Sequence, residues 1–90
     1  MKKVVVSVFD HSAAAYLPPL FFNTEGQATR AFQTALTDSR PSNMTQYPED
    51  YTLYKLGEWN DSSGGFECSE PQRIVNGRQL LNGLIKGEVE

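Results

Sequence analysis

Residues 4–9, Val-Val-Val-Ser-Val-Phe, constrain the fold more than any other stretch of this chain. Four valines and a phenylalanine in six positions favour an extended backbone. Both faces of the resulting strand are mostly apolar, which suits a central position in a sheet. The second strong strand is Tyr51–Trp59. Between them lies one clear helix, beginning at Thr24. Thr24 and Gln27 have the spacing of a capping box, and Glu25 sits well in the first turn. Ala28, Ala31, Phe32, Ala35 and Leu36 fall on one stripe at helical period. Asp38-Ser39-Arg40-Pro41 ends the helix.

The remaining segments are shorter. Asp10–Ala15 is a turn. Tyr16–Phe22 reads as extended, and Pro18 and Pro19 confine it to an edge. Ser42–Asp50 is a polar loop. Asn60–Gly65 is a turn, and Phe66–Ser69 returns to make a hairpin with 51–59. Pro71 breaks that strand, and Gln72–Val75 offers one more. Asn76-Gly77 is either a tight turn or the start of a helix. Leu80, Leu81, Leu84 and Ile85 suit a short C-terminal helix, weakened by Gly83. Ninety residues make a single domain, 1–90, with 86–90 as a frayed tail. The expected fold class is α+β: a single small sheet of three to five strands in β-α-β-β order with an extra short strand, and one main helix packed on one face. A right-handed crossover through the helix would place the two strong strands parallel. A core this small would gain from a dimer interface.

Composition excludes several kinds of chemistry. His11 is the only histidine, and its neighbours Asp10 and Ser12 cannot form a triad with it, because triad members converge from separate elements. One His and one Cys give no metal-ligand spacing. No phosphate-binding glycine loop is present, and Glu49-Asp50 suits a turn better than acid–base work. The expectation is therefore a protein that is not an enzyme, with no catalytic residue, metal site or cofactor. Cys68 has no partner for an intramolecular disulfide, which fits a reducing cytoplasm. The longest apolar run, 16–22, is too short to cross a bilayer. Asp10 and His11 cut short the signal-like start.

Four of the ten aromatics lie within Tyr47–Trp59. Strand alternation puts Tyr51, Leu53, Lys55 and Trp59 on one side and Thr52, Tyr54, Leu56 and Glu58 on the other. One side faces the helix; the other is open to solvent, and the pattern leaves undecided which is which. Aromatics beside cations on an open sheet face can stack the bases of a single-stranded nucleic acid. The net charge of −3 argues against non-specific nucleic-acid binding unless the eight Lys and Arg cluster. Lys55, Arg73 and Arg78 would form one patch if the C-terminal strand neighbours the hairpin.

The chain resembles the small non-structural proteins of gokushoviruses, single-stranded DNA phages of the microvirus group (Microviridae). The resemblance rests on the valine strand ending in Phe9-Asp10, on Tyr16-Leu17-Pro18-Pro19 with Phe21-Phe22, and on Ala28 with Arg30-Ala31-Phe32. Its most specific part is Pro48-Glu49-Asp50-Tyr51-Thr52-Leu53-Tyr54 with Leu56-Gly57-Glu58-Trp59. It covers roughly residues 4–66 and implies DNA binding in the switch from duplex replication to single-strand synthesis for packaging, in the host bacterial cytoplasm. The combined expectation is a homodimer that binds single-stranded DNA without strong sequence specificity. Bases would stack on Tyr51, Tyr54 or Trp59. Phosphates would meet Lys55, Arg73, Arg78 and Arg30, so that affinity falls steeply with salt. Tyr16, Leu17, Leu20, Phe21 and Phe22 would form a dimer or partner interface. The alternative is a non-enzymatic regulator that docks on a phage or host replication protein or a capsid-assembly component.

Overall fold

The valine run forms β1 (Lys2–Asp10), the middle of a five-stranded antiparallel sheet in a computed structural model. The model describes the backbone of residues 1–89 and the side chains of residues 1–83. On one side of β1 lie two short strands, β2 (Ala15–Tyr16) and β3 (Leu20–Phe22). On the other side lie β4 (Tyr51–Asn60) and then β5 (Phe66–Asn76). The expected packing class, one small sheet with a main helix on one face, is the observed one.

The main helix, α1, spans Glu25–Leu36. Thr24 Oγ1 accepts from the Gln27 amide at 3.1 Å. The Gln27 side chain reaches back one residue further than a capping box requires, accepting from the Asn23 amide at 3.1 Å. Ala28, Phe32 and Leu36 are buried against Val6, Tyr51 and Leu53, and this is the core. Ser42–Asp50 is more ordered than a polar loop. It contains a one-turn helix, α2 (Asn43–Gln46), closed by a Ser42–Thr45 capping box, and a 3-10 turn at Pro48–Asp50. A last helix, α3 (Gly77–Val89), follows β5 directly, so Asn76-Gly77 is a helix start. Met44 of α2 and Leu80 and Leu81 of α3 pack on the same core as α1. The expected roles of Leu84 and Ile85 and the expected frayed end at 86–90 lie outside the described side chains.

The two strong strands are antiparallel, not parallel. Tyr16–Phe22 folds back along β1 and reverses the chain before α1 begins. The crossover through α1 therefore joins β3 to β4. Both are antiparallel to β1, and so they run parallel to each other. Pro71 does not break β5. It lies within residues 69–71, which bulge opposite Leu56 between the Gly57–Cys68 and Lys55–Gln72 pairs. β5 is an edge strand, where a missing N–H is tolerated.

One irregularity decides what each face carries. Val5 pairs with Gly57 and Val6 with Lys55, which leaves Leu56 as an extra residue in β4. A single extra residue reverses the side-chain alternation beyond it. Tyr51, Leu53 and Lys55 point toward α1. Gly57 and Trp59 point the other way, with Thr52 and Tyr54. The expected grouping of Trp59 with Tyr51 and Lys55 is thus corrected by the bulge.

Candidate functional site

All three helices pack on one side of the sheet, so the other side is left to its own side chains. The register gathers aromatic rings there from all five strands. Phe9 pairs with Tyr16, Val5 with Phe21, and Trp59 with Phe66. Tyr54 stands opposite Ser7. Six of the chain's ten aromatic residues fall on this face, in two clusters.

The first cluster is Phe9, Tyr16 and Tyr54. Phe9 and Tyr16 meet edge to face at 4.8 Å, and Tyr16 and Tyr54 at 5.7 Å. His11 closes one side at 4.9 Å from Phe9. The second cluster is Phe21, Trp59 and Phe66, with Phe21–Trp59 at 5.5 Å and Trp59–Phe66 at 6.3 Å. Edge-to-face contacts hold rings in place while leaving part of their surface uncovered. Tyr16 is 44% exposed, Phe21 43% and Phe66 58%. Two groups of exposed apolar rings on one face of a small domain make that face the candidate binding surface.

Charge is sorted between the two faces. Among residues paired within the sheet, Lys3 and Arg73 lie on the aromatic face, opposite Trp59 and Tyr54 respectively. Asp10, Glu58 and Glu67 lie on the helix side. Lys3 Nζ donates to Asn23 Oδ1 at 2.7 Å, and Arg73 donates to Gln79 Oε1. Both acceptors are neutral amides, so neither cation is neutralised by an ion pair among the described residues. Lys3 adds only a weak pull on Asp61, whose carboxyl is held low chiefly by the N-terminal ammonium. The other described cations are mostly paired: Lys2 with Glu67 at 3.5 Å, Lys55 with Glu25 at 3.8 Å, Arg78 with Glu49 at 3.3 Å and Arg40 with Asp38 at 3.1 Å.

Of the residues singled out from the sequence for DNA contact, Tyr54, Trp59 and Arg73 share the aromatic face. Four do not. Tyr51 is only 6% exposed and lies in the core under α1. Burial, then the neighbouring charges of Asp10 and Asp50, pushes its hydroxyl pKa up, and no base can reach its ring. Lys55 is on the helix side with Glu25. Arg30 is exposed on α1, with the sheet between it and the aromatics. Arg78 starts α3, so the expected Lys55–Arg73–Arg78 patch does not form. Sequence reasoning passed over Lys3, Phe9 and Phe66 as contact residues. It placed Tyr16 and Phe21 in an interface instead. Gly57 was the available signal, because a lone glycine inside a strand pattern suggests a bulge.

The apolar segment 16–22 is divided between the two faces. Tyr16 and Phe21 join the aromatic clusters. Leu20 and Phe22 pair with Val6 and Val4 on the helix side. Leu17 and Leu20 border an apolar pocket of about 140 Å³ beside α1, with Phe32, Met44 and Leu53 in its wall.

Around His11 the contacts are structural. Its Nε2 is 2.9 Å from Thr52 Oγ1, which also accepts from Asn76 Nδ2 at 3.0 Å. Asp10 accepts from the Ser12 hydroxyl at 2.7 Å and from the Ser12 and Ala13 amides. These bonds, the hydroxyl foremost, hold its carboxyl below the usual range and fasten the turn. No group of three or more His, Cys, Asp or Glu among the described residues is arranged to hold a metal ion. Nor is any described helix long and apolar enough to cross a membrane.

The profile of a family described as "Phage ORF5 protein" matches residues 3–80. No curated protein and no solved structure matches the chain.

Proposed function

We infer that this chain, which belongs to the Phage ORF5 protein family, is a non-structural phage protein whose open sheet face binds single-stranded DNA without strong sequence preference. The observation that carries this reading is the meeting of six aromatic rings and two cations without ion-pair partners among the described residues on one sheet face. Bases stack on rings whatever their identity, because every base has a π-face. Lys3 and Arg73 meet phosphates. The net charge of −3 is no obstacle, since the acidic residues paired within the sheet, Asp10, Glu58 and Glu67, are on the opposite side. A duplex hides its bases from such a surface and offers only phosphates, for which two cations are few.

The resemblance to gokushovirus proteins agrees with this reading. It suggests action in the host bacterial cytoplasm, where replication changes from duplex to single-strand synthesis. Neither a catalytic step nor a cofactor enters this account, and a homodimer would double the stacking surface. A second reading, docking on a phage or host replication protein or a capsid-assembly component, is favoured by one observation: Leu17 and Leu20 are 38% and 54% exposed beside the apolar pocket.

Salt dependence checks the DNA reading. With two cations in contact, the slope of log affinity against log salt should be about −1.4 per protomer, from about −0.7 per phosphate on a single strand. That is shallower than the four phosphate contacts expected from the sequence, Lys55, Arg73, Arg78 and Arg30, would give. Between 50 and 200 mM salt the loss should be about sevenfold. Trp59, the only tryptophan, reports binding through its fluorescence. No response to a single-stranded oligonucleotide at micromolar protein, or equal affinity for the duplex, would overturn the proposal.

A further inference from the structure

We propose that the open face is two base-binding subsites in series, each a ring cluster with its own cation, and that a single strand must span both to bind well. This rests on the DNA reading above and goes beyond it. The repeat is visible in the register. Arg73 stands opposite Tyr54, in the cluster of Phe9, Tyr16 and Tyr54. Lys3 stands opposite Trp59, in the cluster of Phe21, Trp59 and Phe66. Each subsite therefore offers an aromatic surface and, on the adjacent strand, one positive charge without an ion-pair partner among the described residues.

Between the subsites lies one row of this face, Phe21–Val5–Gly57–Cys68. Phe21 stands at the edge of that row and leans on Trp59 at 5.5 Å, so the centre of the row carries no ring. Val5 is buried, and Gly57 has no side chain. Tyr54 and Trp59 stand opposite Ser7 and Lys3, four positions apart on the unbulged β1, about 13 Å at a strand rise of about 3.3 Å per residue. A strand keeping a rise of about 3.4 Å per nucleotide crosses that distance in about four steps, and a more extended strand in fewer. The ligand class is thus a single-stranded segment of about three to six nucleotides, with bases held at its two ends and the middle passing over Gly57.

A length series with oligothymidylates of two, four, six and eight residues tests this on the full chain, followed by Trp59 fluorescence and calorimetry. Affinity should rise at least tenfold between two and six residues and then level off per protomer. Tyr54→Ala should lower the affinity of the six-residue strand to that of the two-residue strand while Trp59 still responds. Tyr54→Phe, which keeps the ring, should restore the length dependence. Equal affinity from two to eight residues, or an unchanged six-residue affinity in Tyr54→Ala, overturns the two-subsite proposal while leaving DNA binding intact. If no length binds the unaltered protein, the DNA reading itself fails, and this inference with it.

Discussion

The double variant Tyr54→Ala, Trp59→Ala is expected to lose about 2–6 kcal/mol of affinity for a single-stranded oligonucleotide, from about 1–3 kcal/mol per stacked base. The lower bound already means about a thirtyfold weakening. Each residue anchors one of the two clusters, so no ring of either cluster compensates for both. Calorimetry measures the loss, and circular dichroism confirms that the sheet persists. The matching change at Tyr51 should differ in kind. Tyr51→Leu removes a buried ring from the core on the far side of the sheet, so it should lower stability and leave the DNA affinity of the folded protein unchanged. Equal losses of affinity at Tyr51 and Tyr54 would mean that the faces are misassigned.

A second large effect is expected at Gly57. A Cβ at this position would run into the carbonyl oxygen of Glu67 and lie 2.8 Å from Cys68 Cα. Both are backbone atoms of β5, so no side-chain rotation relieves the clash and the two strands must part. Gly57→Val should destabilise the domain by about 3 kcal/mol, at the upper end of overpacking costs. A domain of this size has about 5–10 kcal/mol to lose. Urea denaturation measures the effect. Gly83→Ala is the control, because a Cβ there meets nothing within 4 Å. Alanine in place of a helical glycine should stabilise by up to about 1 kcal/mol. The loss at Gly57 extends to function, because the bulge that turns Trp59 outward depends on close approach of β4 and β5.

Elements carried by local pattern were legible in the sequence. The valine run is a central strand, the Ala28–Phe32–Leu36 stripe is the buried side of the helix, and Tyr51–Trp59 with Phe66–Ser69 is a hairpin, though its second strand runs on through Pro71 to Asn76. Strand direction was not legible, because the sequence marks Tyr16–Phe22 only as one extended edge segment and does not show that it doubles back along β1 as two short strands. The site was half legible. Tyr54, Trp59 and Arg73 could be named from aromatic and basic content, but strict alternation misplaced Trp59. One extra residue at Leu56 flips the second half of β4, and pairing, rather than propensity, creates that bulge. Phe9, Phe66 and Lys3 were missed for a related reason. They lie far apart in sequence, and only the register of three strands brings them beside Trp59 and Tyr54. Lys55 and Arg78 looked available as cations because the sequence does not show that Glu25 and Glu49 pair with them.

The most direct test of the account is to find where DNA lands. Backbone amide shifts of the ¹⁵N-labelled protein, recorded while a six-residue single strand is added, resolve the two faces residue by residue. The account predicts the largest changes at Lys3, Phe9, Tyr16, Phe21, Tyr54, Trp59, Phe66 and Arg73, with Arg30 and the exposed turns of α1 unmoved. Changes centred on α1 or on the Leu17–Leu20 pocket, with the aromatic face silent, would contradict it.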